Sequence, residues 1–109
     1  MSNPNHWTFF SNHTHILVVI ARNPDARVRD IAEEVGITER AVQRLIADLA
    51  ESGYLVVTKE GRRNHYRIQA ELPLRHPLEE HRSIADLLEM LMTPGPARTA
   101  VETEQRSAV

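Results

Sequence analysis

Apolar residues recur along this chain in short blocks, and the spacing within each block predicts its element. Ile16, Leu17, Val19 and Ile20 follow a serine and an asparagine and precede Asn23 and Pro24. That arrangement predicts a buried helix over about Asn12 to Arg22. In "RVRDIAEEVG", Val28, Ile31, Ala32 and Val35 share one side of a helix only about two turns long. Asp30 lies near its positive N-terminal end and Gly36 terminates it. "TERAVQRLIADLAES" is the best-marked segment, with Thr38 as N-cap, Ile37 placed to staple against Val42, and Gly53 closing the far end. At about 100° per residue, Val42, Leu45, Ile46 and Leu49 form one stripe, and Arg40, Gln43, Arg44 and Ala47 form another roughly 160° away.

"YLVVTK" and "NHYRIQ" alternate as two strands, with Leu55 and Val57 facing Tyr66 and Ile68, and a short loop containing Gly61 joins them. After "ELPLRHP", a last helix over about residues 77–92 carries Ile84, Leu87, Leu88 and Leu91 at the i, i+3, i+4, i+7 spacing. The predicted class is therefore mainly α with a small β-hairpin. One domain is expected over residues 7–92, with a flexible start over residues 1–6 and a disordered tail, "TPGPARTAVETEQRSAV", over residues 93–109.

Composition narrows the function classes. The longest apolar run, Ile16 to Ala21, is far short of the roughly 20 residues that cross a bilayer. "MSNPNHW" has no basic start followed by an apolar stretch, and the chain has no cysteine, so the cytoplasm is the expected compartment. Neither a glycine-rich phosphate loop, a nucleophile elbow nor a His-Glu-x-x-His pairing is present, so no enzyme and no cofactor are expected. A formal net charge of −2 argues only weakly against nucleic acid, because the charge is uneven. Thr38 to Gln69 holds six Lys or Arg against four Asp or Glu, whereas the chain after Gln69 holds four against seven.

The order of elements is helix, short helix, tight turn at "VGIT", long helix, and a hairpin tipped by "KEGRRNHYRI". Residues 28–68 resemble the winged helix-turn-helix transcription regulators, most closely the small bacterial regulators of the ArsR and MarR type. The resemblance rests on the helix pair, the glycine-aliphatic junction and the Gly-Arg wing together. It implies a three-helix core plus wing and C-terminal helix, and a homodimer that occupies an operator in double-stranded DNA. The recognition helix, 38–52, would lie in the major groove, and the wing, 60–64, in the minor groove or on the backbone.

On this reading Arg40, Gln43 and Arg44 face base edges, since arginine pairs with guanine and glutamine with adenine. Thr38 and the amides beside it hold a phosphate, and Glu39 either favours the helix N-terminus or accepts from a cytosine amino group. Arg62 and Arg63 reach the neighbouring groove with Asn64, while Lys59, His65 and Arg67 touch phosphate. The blander alternatives are a solvated face, with Arg44 paired to Asp48 for about 0.3 to 0.5 kcal/mol, or a winged helix used for protein contacts. Ile84, Leu87, Leu88 and Leu91 are expected to form a dimer seam with Trp7, Phe9 and Phe10, the alternative being that the stripe covers the chain's own core. Many ArsR-type regulators sense metals. The cysteine pair of those members is absent here, and the histidines are expected to be exposed or hydrogen-bonded without a metal; the alternative is a metal- or ligand-responsive repressor, with His76 and His81 joining Glu79 or Glu80 in a nitrogen and oxygen site across a dimer.

Overall fold

Helix α1, Asn12–Arg22, buries Ile16, Leu17, Val19 and Ile20. At about 100° per residue those four side chains cover roughly 160° of the helix surface, more than one neighbour can shield. In this computed structural model, which describes residues 7–95, four elements share the task. Helices α2 (Val28–Val35), α3 (Glu39–Glu51) and α4 (Ile84–Met92) and strand β2 (Arg63–Ile68) all pack on α1. Strand β1 (Leu55–Glu60) reaches the core through α3 and β2 instead. The start expected over residues 1–6, and the tail beyond Gly95, lie outside the described residues.

The turn between α2 and α3 is built as the sequence predicts. Gly36 ends α2 at φ 87°, a left-handed conformation that costs glycine little, and its N–H and that of Ile37 both donate to the Ala32 carbonyl, at 2.8 and 3.0 Å. The chain then reverses, Ile37 packs back on the core, and the Thr38 hydroxyl oxygen accepts from the Ala41 N–H at 3.0 Å to cap α3. Val42, Leu45, Ile46 and Leu49 are all buried. Those contacts fix the rotation of α3 about its own axis.

β1 and β2 pair antiparallel with Leu55 opposite Ile68 and Val57 opposite Tyr66, the expected register. The connection is shorter than the sequence suggests: Gly61 and Arg62 alone form the turn, and Arg63 already belongs to β2. Gly61 has φ 67° and Arg62 does not have a positive φ, the pattern of a type II′ turn with glycine first. Leu55 and Tyr66 anchor the base in the core, but every residue from Val57 to Arg63 is exposed, so the outer half stands clear as an arm.

The last helix differs from expectation at its start. Residues 77–82 wind as turns and a bend, with the Glu79 N–H donating to His76 at 2.8 Å and the Arg82 N–H to Glu79 at 2.9 Å, and Ser83 then pairs with Pro73 in a short antiparallel bridge. The reason is local: Ser83 and Asp86 have cap-and-carboxylate spacing and form a full capping box at the head of α4. The Ser83 N–H donating to Asp86 holds that carboxyl below its usual range. Nothing apolar in residues 77–83 demands burial, and Leu78 is 80% exposed.

Ile31 of α2 is fully buried where the first three helices meet. Ile31→Ala is expected to cost about 2 to 5 kcal/mol, whereas Leu78→Ala should stay within about 0.5 kcal/mol. Urea unfolding of the two variants measures both.

Candidate nucleic-acid interface

With α3 held by its buried stripe, Arg40, Gln43, Arg44 and Ala47 are left exposed on the opposite side. Arg40, Gln43 and Arg44 make no ion pair or side-chain hydrogen bond among the described residues. The Arg44–Asp48 pair weighed as an alternative is not formed. Asp48 turns instead to α1, where its carboxylate meets His13 Nε2 at 3.0 Å. The donors along the outer face of α3 are therefore available to an external acceptor. At its head, the Thr38 oxygen is occupied in capping, but its O–H can still donate, and the amides of Glu39 and Arg40 precede the helical ladder. Glu39 is exposed beside them.

The hairpin sorts its charges by pleat. Arg63, His65 and Arg67 alternate onto one face of β2, while Lys59 shares the other face with its cross-strand partner Asn64. The structure also separates the two arginines that the sequence places together. Arg62 sits in the turn, exposed. Arg63 starts the strand, and its guanidinium donates to the Asp25 carbonyl at 2.9 Å. His65 Nδ1 lies 2.7 Å from the Asp25 carboxylate; this hydrogen bond holds the imidazole above its ordinary value, against a smaller opposing effect of desolvation. Arg67 donates to the Gln69 side-chain oxygen at 2.9 Å, and Asn64 donates to the Tyr66 hydroxyl at 3.4 Å. Among the described residues, Lys59 and Arg62 are thus the wing cations without a partner of their own.

One cation escaped the sequence reading. A groove of about 350 Å³ between the start of α2 and the wing is lined by Arg27, Arg62 and Arg63, with Asp25 on its wall. Arg27 is the N-cap residue of α2 and makes no side-chain cap bond. Its signal in the sequence was the basic pair Arg27 and Arg29 at a helix start, where the apolar pattern drew attention to Val28 instead.

At the other end of the molecule the stripe of α4 divides. Ile84 and Leu87 are buried in the chain's own core and Leu88 packs at its edge. Leu91 is exposed, as are Met90 and Met92. Trp7 and Phe9 are exposed too, at 68% and 88%, with their rings edge to face at 4.9 Å, while Phe10 is half-buried. Phe9, Phe10, Leu74, Leu87 and Met90 line an open groove of about 750 Å³ between the N-terminal segment and α4. Among the described residues no three His, Asp or Glu side chains are placed to hold a metal ion; His76 accepts from the Leu78 N–H at 3.0 Å, and His15 meets Asn12 at 2.9 Å.

Comparison with known proteins gives a match of residues 11–63 to the model of the MarR family. No curated protein sequence matches the chain. Among solved structures, the chain is similar to the PcaV transcriptional regulator from Streptomyces coelicolor in complex with its natural ligand. That similarity has a TM-score of 0.49 at 21% identity, over 91% of this chain and 74% of that one. It is also similar to a mutant of Lactococcus lactis ZitR in complex with DNA, with a TM-score of 0.48 at 16% identity, over 99% and 77%. A third is the zinc-dependent MarR family transcriptional regulator AdcR in its Zn(II)-bound state, with a TM-score of 0.43 at 12% identity, over 99% and 78%.

Because Arg44 has no side-chain partner among the described residues, Arg44→Ala should leave stability within about 0.5 kcal/mol. Thr38→Ala should cost roughly 0.5 to 2 kcal/mol through the lost cap. Chemical denaturation of both variants checks the contrast.

Proposed function

We propose that this chain, a winged helix-turn-helix protein of the MarR type, regulates transcription by occupying an operator in duplex DNA. The observation that carries the reading is the outer face of α3, where Arg40, Gln43 and Arg44 stand exposed, without a side-chain partner among the described residues, directly behind a capped helix start. A major groove accepts a helix, and on its floor an arginine makes two bonds to guanine and a glutamine two to adenine, each good pair worth about 1 to 3 kcal/mol of discrimination. The Thr38 hydroxyl and the amides of Glu39 and Arg40 suit a flanking phosphate, which fixes the register of the helix in the groove. Glu39, in the same first turn, is tolerable there by accepting from a cytosine amino group.

The wing adds the second contact. Arg62 at its turn and Lys59 on its inner face meet the adjoining minor groove or backbone, and Arg27 continues the same cationic strip onto α2. Arg63, Asn64 and Arg67 are engaged with neighbours in the free protein and serve the wing's shape as well as its charge. No step is chemical: occupancy itself is the output. A cytoplasmic, bacterial setting accords with such a role.

Two copies complete the device. The last turn of α4, Leu91 with Met90 and Met92, together with Trp7 and Phe9, offers exposed apolar surface. Joined across a two-fold axis, two recognition helices would be about one helical turn of DNA apart, roughly 34 Å, and the operator an inverted repeat.

Arg62→Ala combined with Arg27→Ala should weaken binding to all duplexes and lower the salt slope by about 2, since each phosphate contact contributes about 0.9. Arg40→Ala or Gln43→Ala should instead change which sequence is preferred. Titration of duplexes selected from a random pool, at several salt concentrations, reads both effects, and intact binding in all variants would reject the groove assignment. Sedimentation at tens of micromolar is expected to give twice the chain mass of 12.4 kDa and to fall to the monomer in Leu91→Glu.

A further inference from the structure

We infer that Asp25 is a positioning residue for DNA binding: it moors the wing to the end of α1 and so sets where Arg62 stands. The inference rests on the DNA-binding reading and assigns a role that the DNA-facing residues do not explain. A two-stranded hairpin is marginal by itself, and here everything from Val57 to Arg63 is exposed. What holds the arm is its outer edge. Three bonds run from β2 to two consecutive residues: the Tyr66 N–H to the Pro24 carbonyl at 3.0 Å, Arg63 to the Asp25 carbonyl at 2.9 Å, and His65 to the Asp25 carboxylate at 2.7 Å. Asp25 is held in turn, its N–H donating to the Asn23 side chain at 3.2 Å, and the Asn23 N–H closes α1 on Val19 and Ile20. The tether therefore runs from the rigid core to the wing through two backbone carbonyls and one exposed carboxylate, that of Asp25, which is the part a side-chain substitution can remove.

The surroundings of His65 make the tether responsive to protons. Arg63 and Arg67 flank it on its own face of β2, and Glu60 lies diagonally across on β1. On the α1 side, Ile20 and Ala21 line the groove that His65 borders, and neither is titratable. Asp25, and more weakly Glu60, favour the imidazolium, so the charge-assisted bond is complete below the ordinary imidazole value and weakens as pH rises through the raised one. The weakened bond leaves Arg63 and the turn less constrained.

The sign of one substitution separates this role from a bystander's. Asp25 lies on the wall of the groove formed by Arg27, Arg62 and Arg63. As a bare negative charge it would repel phosphate, and Asp25→Asn would tighten DNA binding. As a mooring, Asp25→Asn weakens it, by about threefold to tenfold, the scale of one exposed charge-assisted bond. The experiment measures duplex affinity from pH 6 to 8.5 for the wild type, Asp25→Asn, Asp25→Glu and His65→Gln. The expected results are weaker binding by Asp25→Asn with its pH midpoint moved down, partial recovery in Asp25→Glu, and a flat profile in His65→Gln. Unchanged or tighter binding by Asp25→Asn, or a pH profile still present in His65→Gln, overturns the role of Asp25 while leaving the DNA reading intact. A wild type that prefers no duplex over another overturns both.

Discussion

The breadth of the apolar face of α1 is the constraint on which the other elements depend. Ile16, Leu17, Val19 and Ile20 expose too wide an arc for a two-helix solution, and at roughly 25 cal/mol per Å² leaving any part of it wet is costly. α2, α3, α4 and β2 each cover a sector. Neither α2 nor α4 has a large core of its own: each buries two side chains. The helix-turn-helix pair is thus held at its angle both by its own turn and mutual packing and by the common surface on which both helices rest.

That arrangement divides the molecule into parts of unequal stiffness. α3 is clamped through four buried positions and capped at its head, so a side chain on its outer face inherits a fixed position and direction. Base recognition requires such placement, because paired hydrogen bonds to a base edge fail with small displacements. The wing has Leu55 and Tyr66 at its root and only edge bonds further out. Contact with a phosphate backbone or a narrow groove tolerates that looseness, since it depends mainly on charge. Stiffness and chemical demand are matched along the same surface.

Much of this was legible in the sequence, for a physical reason. Where an element is amphipathic, its period states both what it buries and what it shows: Val42, Leu45, Ile46 and Leu49 identified the core face of α3, and Arg40, Gln43 and Arg44 followed as its outer face. The register of the hairpin was equally readable, because Leu55 and Tyr66 can face the core in only one pleat. Legibility ended where geometry hangs on single hydrogen bonds. "GRRN" could not disclose that the turn takes only Gly61 and Arg62, so Arg63 passed for a tip residue when it is tied to Asp25, 38 positions earlier. The early turns at residues 77–82 went unseen because the leucine spacing of α4 masked the cap signal of Ser83 and Asp86. Arg27 was overlooked because it becomes part of a cationic strip only when the wing folds over α2.

Charge follows the same logic of separation. A chain of net charge −2 can still present a positive surface when its acids are withdrawn from it. Asp48 is turned to His13, Glu34 is paired with Arg22, and Asp86 is committed to the cap of α4. Glu79, Glu80 and Glu89 lie on or before α4, in the part of the chain that takes no part in the cationic strip. Near the wing, Asp25 is already bonded to His65, so it acts there as an acceptor inside the protein more than as a free charge. The acids that remain distant from the strip give the molecule a polarity. The exposed residues of α3 and the wing include Arg40, Arg44, Lys59, Arg62 and Arg67 against Glu39 and Glu60, so a polyanion would meet an excess of positive charge there. Net charge measures the sum of these two surfaces, and the distribution, set by which acids find internal partners, decides what the protein can approach.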